Sequence, residues 1–212
     1  RGPRFRMDAE MVRDHALAAS GLLVEKLGGP SVKPYQPDGV WEAIAMNVSN
    51  AREYIRDTGD KLYRRSLYTF WKRMAPPASL DIFNAPNREY CVVRRERTNT
   101  PLQALVTLND EQFVEAARHL ATRAVRESTH DEQRFDFIGR QLLVRPFRDE
   151  ELAVLRDSIA KLQQHYSGHP DDAQLLLAVG ESPVDSELDA IELASWTMLV
   201  NQLMNLDEVV CK

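Results

Sequence analysis

The chain is poor in cysteine and has no long apolar run, and each shortage excludes a class of protein. Only Cys91 and Cys211 occur among its 212 residues. They show no CxxC, CxxCH or zinc-ligand spacing, so the chain itself predicts neither covalently attached haem nor a structural zinc site. No stretch approaches the roughly 18 apolar residues of a transmembrane helix, so we expect no direct membrane insertion. The sequence leaves open whether the two cysteines pair, although a buried unpaired cysteine is the commoner state.

Targeting and catalytic signals are also missing. The start, Arg1 to Arg4, has neither an initiator methionine nor the apolar core of a signal peptide, which is typical of a piece excised from a longer protein. The histidines form no HExxH-like pattern. His165 and His169 could form a metal pair, but two solvated histidines are the simpler interpretation, so we predict no metal site. Nothing names a reaction, and the sequence favours a noncatalytic domain while leaving enzymatic activity open.

The composition that remains is that of a globular domain. Hydrophobic residues make up 43% of the chain and charged residues 28%, which excludes disordered, collagen-like and disulfide-scaffold classes. The length fits a single domain over residues 1–212, with a subdivision into 1–128 and 129–212 as the alternative.

Apolar residues at helical spacing predict most of the fold. Helix ends are indicated by Gly28-Gly29-Pro30, by Thr98 or Thr100 before Pro101, by Asn109 or Asp110, and by the acids from Asp149 to Glu151. The predicted helices span residues 7–27, 40–46, 101–108, 113–125, 132–143, 149–166 and 189–210, and residues 173–179 could form a further short one.

The helical period is lost over residues 47–99. Tyr63 to Lys72 could be a strand or a long helix, and the β-branched and aromatic residues there favour the strand. Glu89 to Arg95 could be a second extended piece of a hairpin-like ribbon. We therefore predict a mainly α, bundle-like domain of about six or seven helices, with a small irregular or β element in residues 47–99.

The charge is uneven, and the excess of arginine lies in the irregular part. Residues 52–97 hold nine Arg and two Lys against six acids, a balance of +5 in a chain of net charge −5. Arginine and aromatic residues in this pattern could bind an anion, but arginine also clamps carboxylates and backbone carbonyls, which is the favoured interpretation. Six side chains are the candidate ligand-binding residues: Asp57, Arg64, Arg65, Trp71, Arg94 and Asn99.

Four motifs carry a resemblance to a known family. They are RFRMDAE at residues 4–10, GGPSV at 28–32, YRRSLYTFWKR at 63–73 and RTNTPLQAL at 97–105. Together they resemble the planctomycete-specific C-terminal domain of unknown function, and the likeness extends through GESPVD at 180–185 to NLDE at 205–208.

The resemblance implies a context and no activity. Members of this family end large, exported proteins that begin with a cytochrome c region, so haem c is expected only in an upstream domain. A periplasmic or cell-surface location and docking to upstream domains of the same polypeptide follow from the same resemblance. It also implies that the first part of the domain lies upstream of Arg1, and it supplies no catalytic residue to carry over.

Three hypotheses of function follow. The favoured one is a noncatalytic accessory or interaction domain, whose partner is an upstream domain, a protein or a carbohydrate stacked on Trp41, Tyr54, Tyr68 or Trp71. The alternative is an inter-domain redox or hydrolytic site, or a carbohydrate-binding surface, built from the Arg-rich and aromatic segment 52–103. Nucleic-acid binding is the weakest, because the sequence pI is about 5.6 while basic nucleic-acid-binding domains lie above about 9.

Overall fold

The computed structural model describes residues 5–44 and 52–212, and its regular structure is helical. These residues form nine α-helices, in agreement with the predicted fold class, and two short 3-10 helices at Gly59–Tyr63 and Ser66–Tyr68. The α-helices are α1 Ala9–Ser20, α2 Ala78–Ile82, α3 Pro101–Asn109, α4 Glu111–Glu127, α5 Asp131–Leu143, α6 Asp149–Gly168, α7 Pro170–Leu177, α8 Ala190–Met204 and α9 Asp207–Val210.

Helices α4 and α8 pack against each other at the centre of the bundle. The face of α4 is rich in alanine: Ala116, Ala117, Ala121 and Ala124 are completely buried. Small side chains let helix backbones approach closely, so α4 also contacts α1, α3 and α5, while α8 contacts α6 and α7. Trp196 of α8 is completely buried in the same core, with its ring centroid 5.1 Å from that of Phe135 in α5.

Two helix starts confirm the capping predictions, and a third helix begins in the same way at Asp189, which was predicted as the first residue of its helix. The Thr100 hydroxyl accepts a hydrogen bond from the backbone N–H of Gln103, and Pro101 occupies the first helical turn. Asp110 caps α4 and Asp189 caps α8 through equivalent side-chain acceptors. A polar residue just before an apolar stripe was therefore enough to locate the first two starts.

The predicted end of the first helix was wrong. Helix α1 ends at Ser20, where Gly21 adopts a φ of 83°, and does not continue to Leu27. Leu22 and Leu23 leave the helical path to pack against a small second core of Leu17, Tyr35, Leu62 and Tyr63. The helix thus ended at a glycine C-cap, about two turns before the Gly28-Gly29-Pro30 signal.

The predicted strand over residues 63–72 was also wrong. That stretch contains the 3-10 turn at Ser66–Tyr68, and its backbone forms isolated bridges, such as Val24 with Arg64 and Val32 with Thr69, and no ladder within the described residues. Leu62, Tyr63 and Arg64 are buried consecutively. Burial alternates only from Arg64 to Leu67, where the 3-10 turn interrupts the chain, and Leu67 and Phe70 are exposed, so the stretch is a loop and not a strand with one buried apolar face.

The predictions for residues 89–95 and 40–46 were also wrong, and the second lies partly outside the described residues. Residues 89–95 form no hairpin ladder within the described chain and are mostly exposed. The helix predicted at 40–46 is a hydrogen-bonded turn over residues 41–44, and residues 45 and 46 lie outside the described ranges.

The last predicted helix is two helices. Asn205 ends α8, and α9 begins two residues later at Asp207. Asn205 accepts a hydrogen bond from the Thr107 hydroxyl at 2.9 Å. This tie to α3 accompanies the break, which the apolar period of residues 189–210 did not signal.

One main hydrophobic core runs from Met7 to Val210 and draws on helices from both halves of the chain. The two ends of the described chain meet, since Phe5 and Lys212 exchange both backbone hydrogen bonds. The alternative subdivision at residue 128 stays a prediction. The residues between α1 and α2, here called the irregular segment (22–44 and 52–77), lie against this bundle.

Candidate functional site

Arg64 is the most buried of the six predicted site residues, and its side chain binds backbone carbonyls of a neighbouring loop. Its guanidinium donates to the carbonyls of Lys26, Gly28 and Pro30 at 2.5–3.0 Å. It also lies 3.9 Å from the ring centroid of Tyr68. These contacts hold the loop that contains the GGPSV motif, so the side chain already has partners on several sides.

Asp57 also serves the irregular segment. Its carboxylate accepts from the backbone N–H of Lys33 at 2.8 Å and from Lys61 Nζ at 3.1 Å. Burial raises the pKa of this carboxyl, but the two hydrogen bonds and the nearby lysine charges outweigh burial and lower it. Asp57 is therefore ionised and pairs two stretches of loop.

The other four predicted residues lie at the surface and are not brought together by shared partners. Arg65 is exposed, with Glu25 at 3.8 Å. Trp71 packs on the core and donates to the Asn87 carbonyl at 3.3 Å. Arg94 and Asn99 are exposed and form no hydrogen bond or ion pair with other described residues.

The polar centre of the molecule is Glu115 in α4, which the sequence analysis missed. Its side chain is fully buried and accepts from the hydroxyls of Tyr35 and Tyr63, both at 2.9 Å, and from the backbone N–H of Ser182 at 2.6 Å. Arg118 lies 3.9 Å away. One carboxylate thus joins the irregular segment, α4 and the loop before α8.

Gly180 makes this approach of the loop possible. A Cβ at Gly180 would lie 2.5 Å from Cδ of Glu115, and its φ of 90° is in the left-handed region. Arg118 then anchors the same loop by donating to the carbonyls of Val179, Ser182 and Pro183. The GESPVD motif is therefore packed directly on the buried carboxylate.

The protonation of this centre follows from its burial. Burial raises the pKa of Tyr35 and of Tyr63 well above the usual range, and the Glu115 charge raises both further. Both hydroxyls consequently stay protonated and donate to Glu115. This centre was not predicted, because Glu115 and Arg118 have the i, i+3 spacing of an ordinary surface ion pair.

Arg13 forms a second buried anchor between α1 and the irregular segment. It donates to the carbonyls of Leu62 and Arg64 at 2.7 Å, to Gln112 Oε1 at 2.7 Å and to the Ser66 hydroxyl at 3.2 Å. Burial lowers its pKa to about 10, although Asp14 and Asp110 oppose this. Arg13 therefore remains cationic at neutral pH.

An open cleft of about 340 Å³ lies beside these anchors. Arg56 crosses it with its guanidinium 4.9 Å from the Tyr35 ring, 3.5 Å from Glu111 and 3.8 Å from Glu181. Burial raises the pKa of Asp110, another lining residue, to about 6. Every lining side chain except one proline is polar or aromatic: Tyr35, Gln36, Pro37, Asp38, Tyr54, Arg56, Asn109, Asp110 and Glu111.

Cations cover the aromatic rings that sequence analysis offered as stacking surfaces. Lys72 lies 4.2 Å from the Trp41 ring, and Arg88 lies 4.9 Å from that of Trp71. Tyr54 meets Trp41 edge to face at 5.0 Å. With Tyr68 beneath Arg64, these rings are engaged within the chain and do not form one open platform.

Other chemistry is sparse in the part of the chain that the structure describes. No three or more His, Cys, Asp or Glu side chains of residues 5–44 and 52–212 are grouped so that they could hold a metal ion. The rings of His165 and His169 stack at 4.7 Å on the surface. Cys91 and Cys211 are not joined by a disulfide. None of the described helices is long and apolar enough to cross a membrane.

Comparison with known proteins gives a family and no activity. No curated protein and no solved structure matches the chain. The family model of PSD1, described as a protein of unknown function (DUF1553), matches residues 1–159, which include the first three motifs, RTNTPLQAL and the Glu115 helix. The match covers three quarters of the sequence, so the chain belongs to the PSD1 family of proteins of unknown function.

Proposed function

We propose that this chain is a noncatalytic interaction domain at the C-terminus of an exported, cytochrome c-linked multidomain protein of planctomycete type. Its partners are upstream domains of the same polypeptide. Membership of a family of unknown function is compatible with this assignment. The cytochrome, export and planctomycete parts rest on the resemblance of the four sequence motifs.

The observation that supports a noncatalytic role is the internal use of the polar side chains. Arg64 binds three backbone carbonyls, Asp57 binds Lys33 and Lys61, and Glu115 is fully buried with four partners. Buried polar groups in irregular backbone need such partners for stability. Residues engaged in this way hold the fold, and a substrate would have to displace them.

The first experiment tests docking and haem content together. The chain and the upstream region of its parent protein are produced separately, mixed, and measured by isothermal titration calorimetry and sedimentation. We expect a one-to-one complex, with the Soret band confined to the upstream partner because this chain has no CxxCH motif. Absence of a complex would contradict the docking role, and a Soret band in the isolated chain would contradict the haem assignment.

A second candidate function is a ligand or active site in the cleft crossed by Arg56. The cleft is lined by polar and aromatic side chains, and the pKa of the Asp110 carboxyl in it is raised. Such a lining suits a polyhydroxylated ligand such as a carbohydrate. The probe is cellohexaose, titrated into wild type and Arg56→Ala and followed by NMR. Shifts confined to the cleft that Arg56→Ala abolishes would support this candidate, and their absence would favour the interaction domain alone.

A further inference from the structure

An apolar groove of about 560 Å³ lies between α6, α8 and the start of α9, on residues the Glu115 centre does not use. Its floor is formed by buried Leu155, Leu199 and Leu203. Val154 and Leu206 line it as well, with 64% and 42% of their surfaces exposed. The groove therefore presents a mainly apolar surface to solvent, with polar side chains also in its lining: Arg145, Glu151, Ser158, Gln202, Asp207 and Glu208.

The groove is preformed, because an arginine clamp fixes its wall. Arg145 donates to both carboxylate oxygens of Glu151 at 2.8 and 2.9 Å and to both of Glu208 at 2.9 and 2.7 Å. This ties α9 to the first turn of α6. Two carboxylates share one guanidinium, so the clamp carries one net negative charge.

The same chain carries an exposed apolar segment beside a basic residue. Tyr90 and Val93 are 69% and 104% exposed, and Val92 is also exposed. Arg94 follows them and forms no ion pair within the described residues. Consecutive exposed apolar side chains next to an unpaired cation are unusual on a monomer surface and indicate a contact surface.

We propose that the groove of one copy receives the Tyr90–Arg94 segment of a second copy of this chain. The apolar side chains fit the apolar floor, and Arg94 supplies the charge that complements the clamp. The contact joins two different surfaces, so it is heterologous and can close into a small ring or extend. A contact through one short segment is small, and we expect weak, concentration-dependent association. This inference does not rest on the docking role proposed above.

The test is the oligomeric state of the purified chain and of two variants. Sedimentation equilibrium is measured from about 1 μM to about 1 mM, which covers weak interfaces. Wild type should rise above its monomer mass of 24.2 kDa. Val93→Lys damages only the segment and Val154→Lys only the groove, so each should weaken association at least tenfold.

Mixing the two variants gives a result that nonspecific stickiness cannot imitate. Val93→Lys keeps an intact groove and Val154→Lys keeps an intact segment, so the equimolar mixture should form a species of twice the monomer mass. Leu67→Lys and Leu175→Lys, at apolar residues of 74% and 70% exposure, are matched controls that should associate like wild type.

Three results would overturn the proposal. They are a monomer mass throughout the wild-type series, equal weakening by Leu67→Lys and Val93→Lys, and no association in the mixture. Circular dichroism melts check folding, and Val154→Gln replaces Val154→Lys if that variant melts early. A wild-type monomer that binds the upstream region only while Val154 is intact would assign the groove to that region instead.

Discussion

The buried arginines of this protein donate mainly to backbone carbonyls. Arg13, Arg64 and Arg118 reach carbonyls in loops that have no ladder of strand hydrogen bonds. A guanidinium offers five donors in a rigid fork, so a single side chain can satisfy several acceptors of an irregular backbone. The arginine excess in residues 52–97 is explained in part by this role at Arg64, while Arg65 and Arg94 remain at the surface.

Sequence reasoning found the local determinants and missed the long-range ones at this scale. The caps Thr100 and Asp110 were predictable because a cap depends on residues two or three positions away. Glu115 was not, because its partners Tyr35 and Tyr63 are 80 and 52 residues away along the chain. Nothing in the local pattern of α4 distinguishes it from a surface acid.

Asp110 predicts a pH dependence of stability. Burial raises its pKa to about 6 in the folded protein, against 3.8 for an ordinary aspartate. Between these two pKa values the folded state holds a proton that the unfolded state has lost. The contribution of Asp110 to the free energy of unfolding is therefore greatest below about pH 3.8 and is lost as the pH rises through about 6. We expect Asp110→Asn, which retains a capping side chain, to remove this loss and raise stability at pH 8 by up to about 3 kcal/mol.

Urea unfolding of both proteins at pH 4 and pH 8 measures the effect. The variant and wild type should differ little at pH 4 and most at pH 8. Asp189→Asn, at the cap of α8, is the matched control, because its carboxyl accepts the same kind of bond at a more exposed helix start. An Asp110→Asn variant that is less stable than wild type at pH 8 would show that the ionised carboxylate is favoured after all.

At the scale of elements, the helices followed their apolar period and the irregular segment did not follow any. Helices α4, α5 and α6 lie within a few residues of their predicted ranges because a continuous apolar stripe faces one core. In residues 63–72 the polar Arg64 and Ser66 are buried while the apolar Leu67 is 74% exposed, so the polarity of a side chain does not indicate which face is buried. The break at Asn205 depends on α3 and was invisible for the same reason.

The Arg145 clamp predicts how firmly α9 is held. Arg145→Ala removes four hydrogen bonds that join α9 to α6, and we expect a loss of about 1–2 kcal/mol because the groups are partly exposed. Amide hydrogen exchange of α9 should be faster in this variant than in wild type, and the increase in α9 should exceed any increase in α8. The measurement is urea unfolding together with amide exchange resolved by fragment.

Arg140→Ala provides the control for this prediction. Arg140 pairs with Asp136 one turn earlier in α5, at the surface, so we expect the free energy of unfolding of this variant to stay close to that of wild type. If the two variants are equally stable and α9 exchanges as in wild type, the clamp does not hold α9. In that case the backbone bonds between Phe5 and Lys212, and between Met7 and Val210, suffice.

On the scale of the whole molecule, apolar packing holds the helices of the bundle together, whereas polar contacts attach the irregular segment to the bundle. The main core is large and apolar, whereas the second cluster has four buried residues among those that the structure describes. The segment is instead attached through polar contacts, chiefly those of Glu115 and Arg13. The same carboxylate also binds Ser182, which lies beyond the part of the chain matched by the family model.

Glu115 therefore predicts which part of the molecule is released first. Glu115→Ala leaves the hydroxyls of Tyr35 and Tyr63, the Ser182 N–H and the Arg118 charge without their acceptor, and removing one member of such a buried group costs about 3–5 kcal/mol. Because α4 keeps its apolar packing on α8, the loss should loosen the irregular segment before the bundle. Limited proteolysis should then cut within residues 22–44 and 52–77 while a fragment containing α4 to α8 persists.

The exposed acid of the same helix separates this release from a general loss of stability. Glu111 is 58% exposed and pairs with Arg56 at 3.5 Å, so Glu111→Ala should leave the cleavage pattern and the unfolding midpoint close to wild type. If the protease instead cuts the bundle and the irregular segment of the Glu115→Ala variant at the same rate, the two parts unfold as one unit. The polar centre would then stabilise the whole domain equally, and the irregular segment would have to be regarded as part of the bundle core.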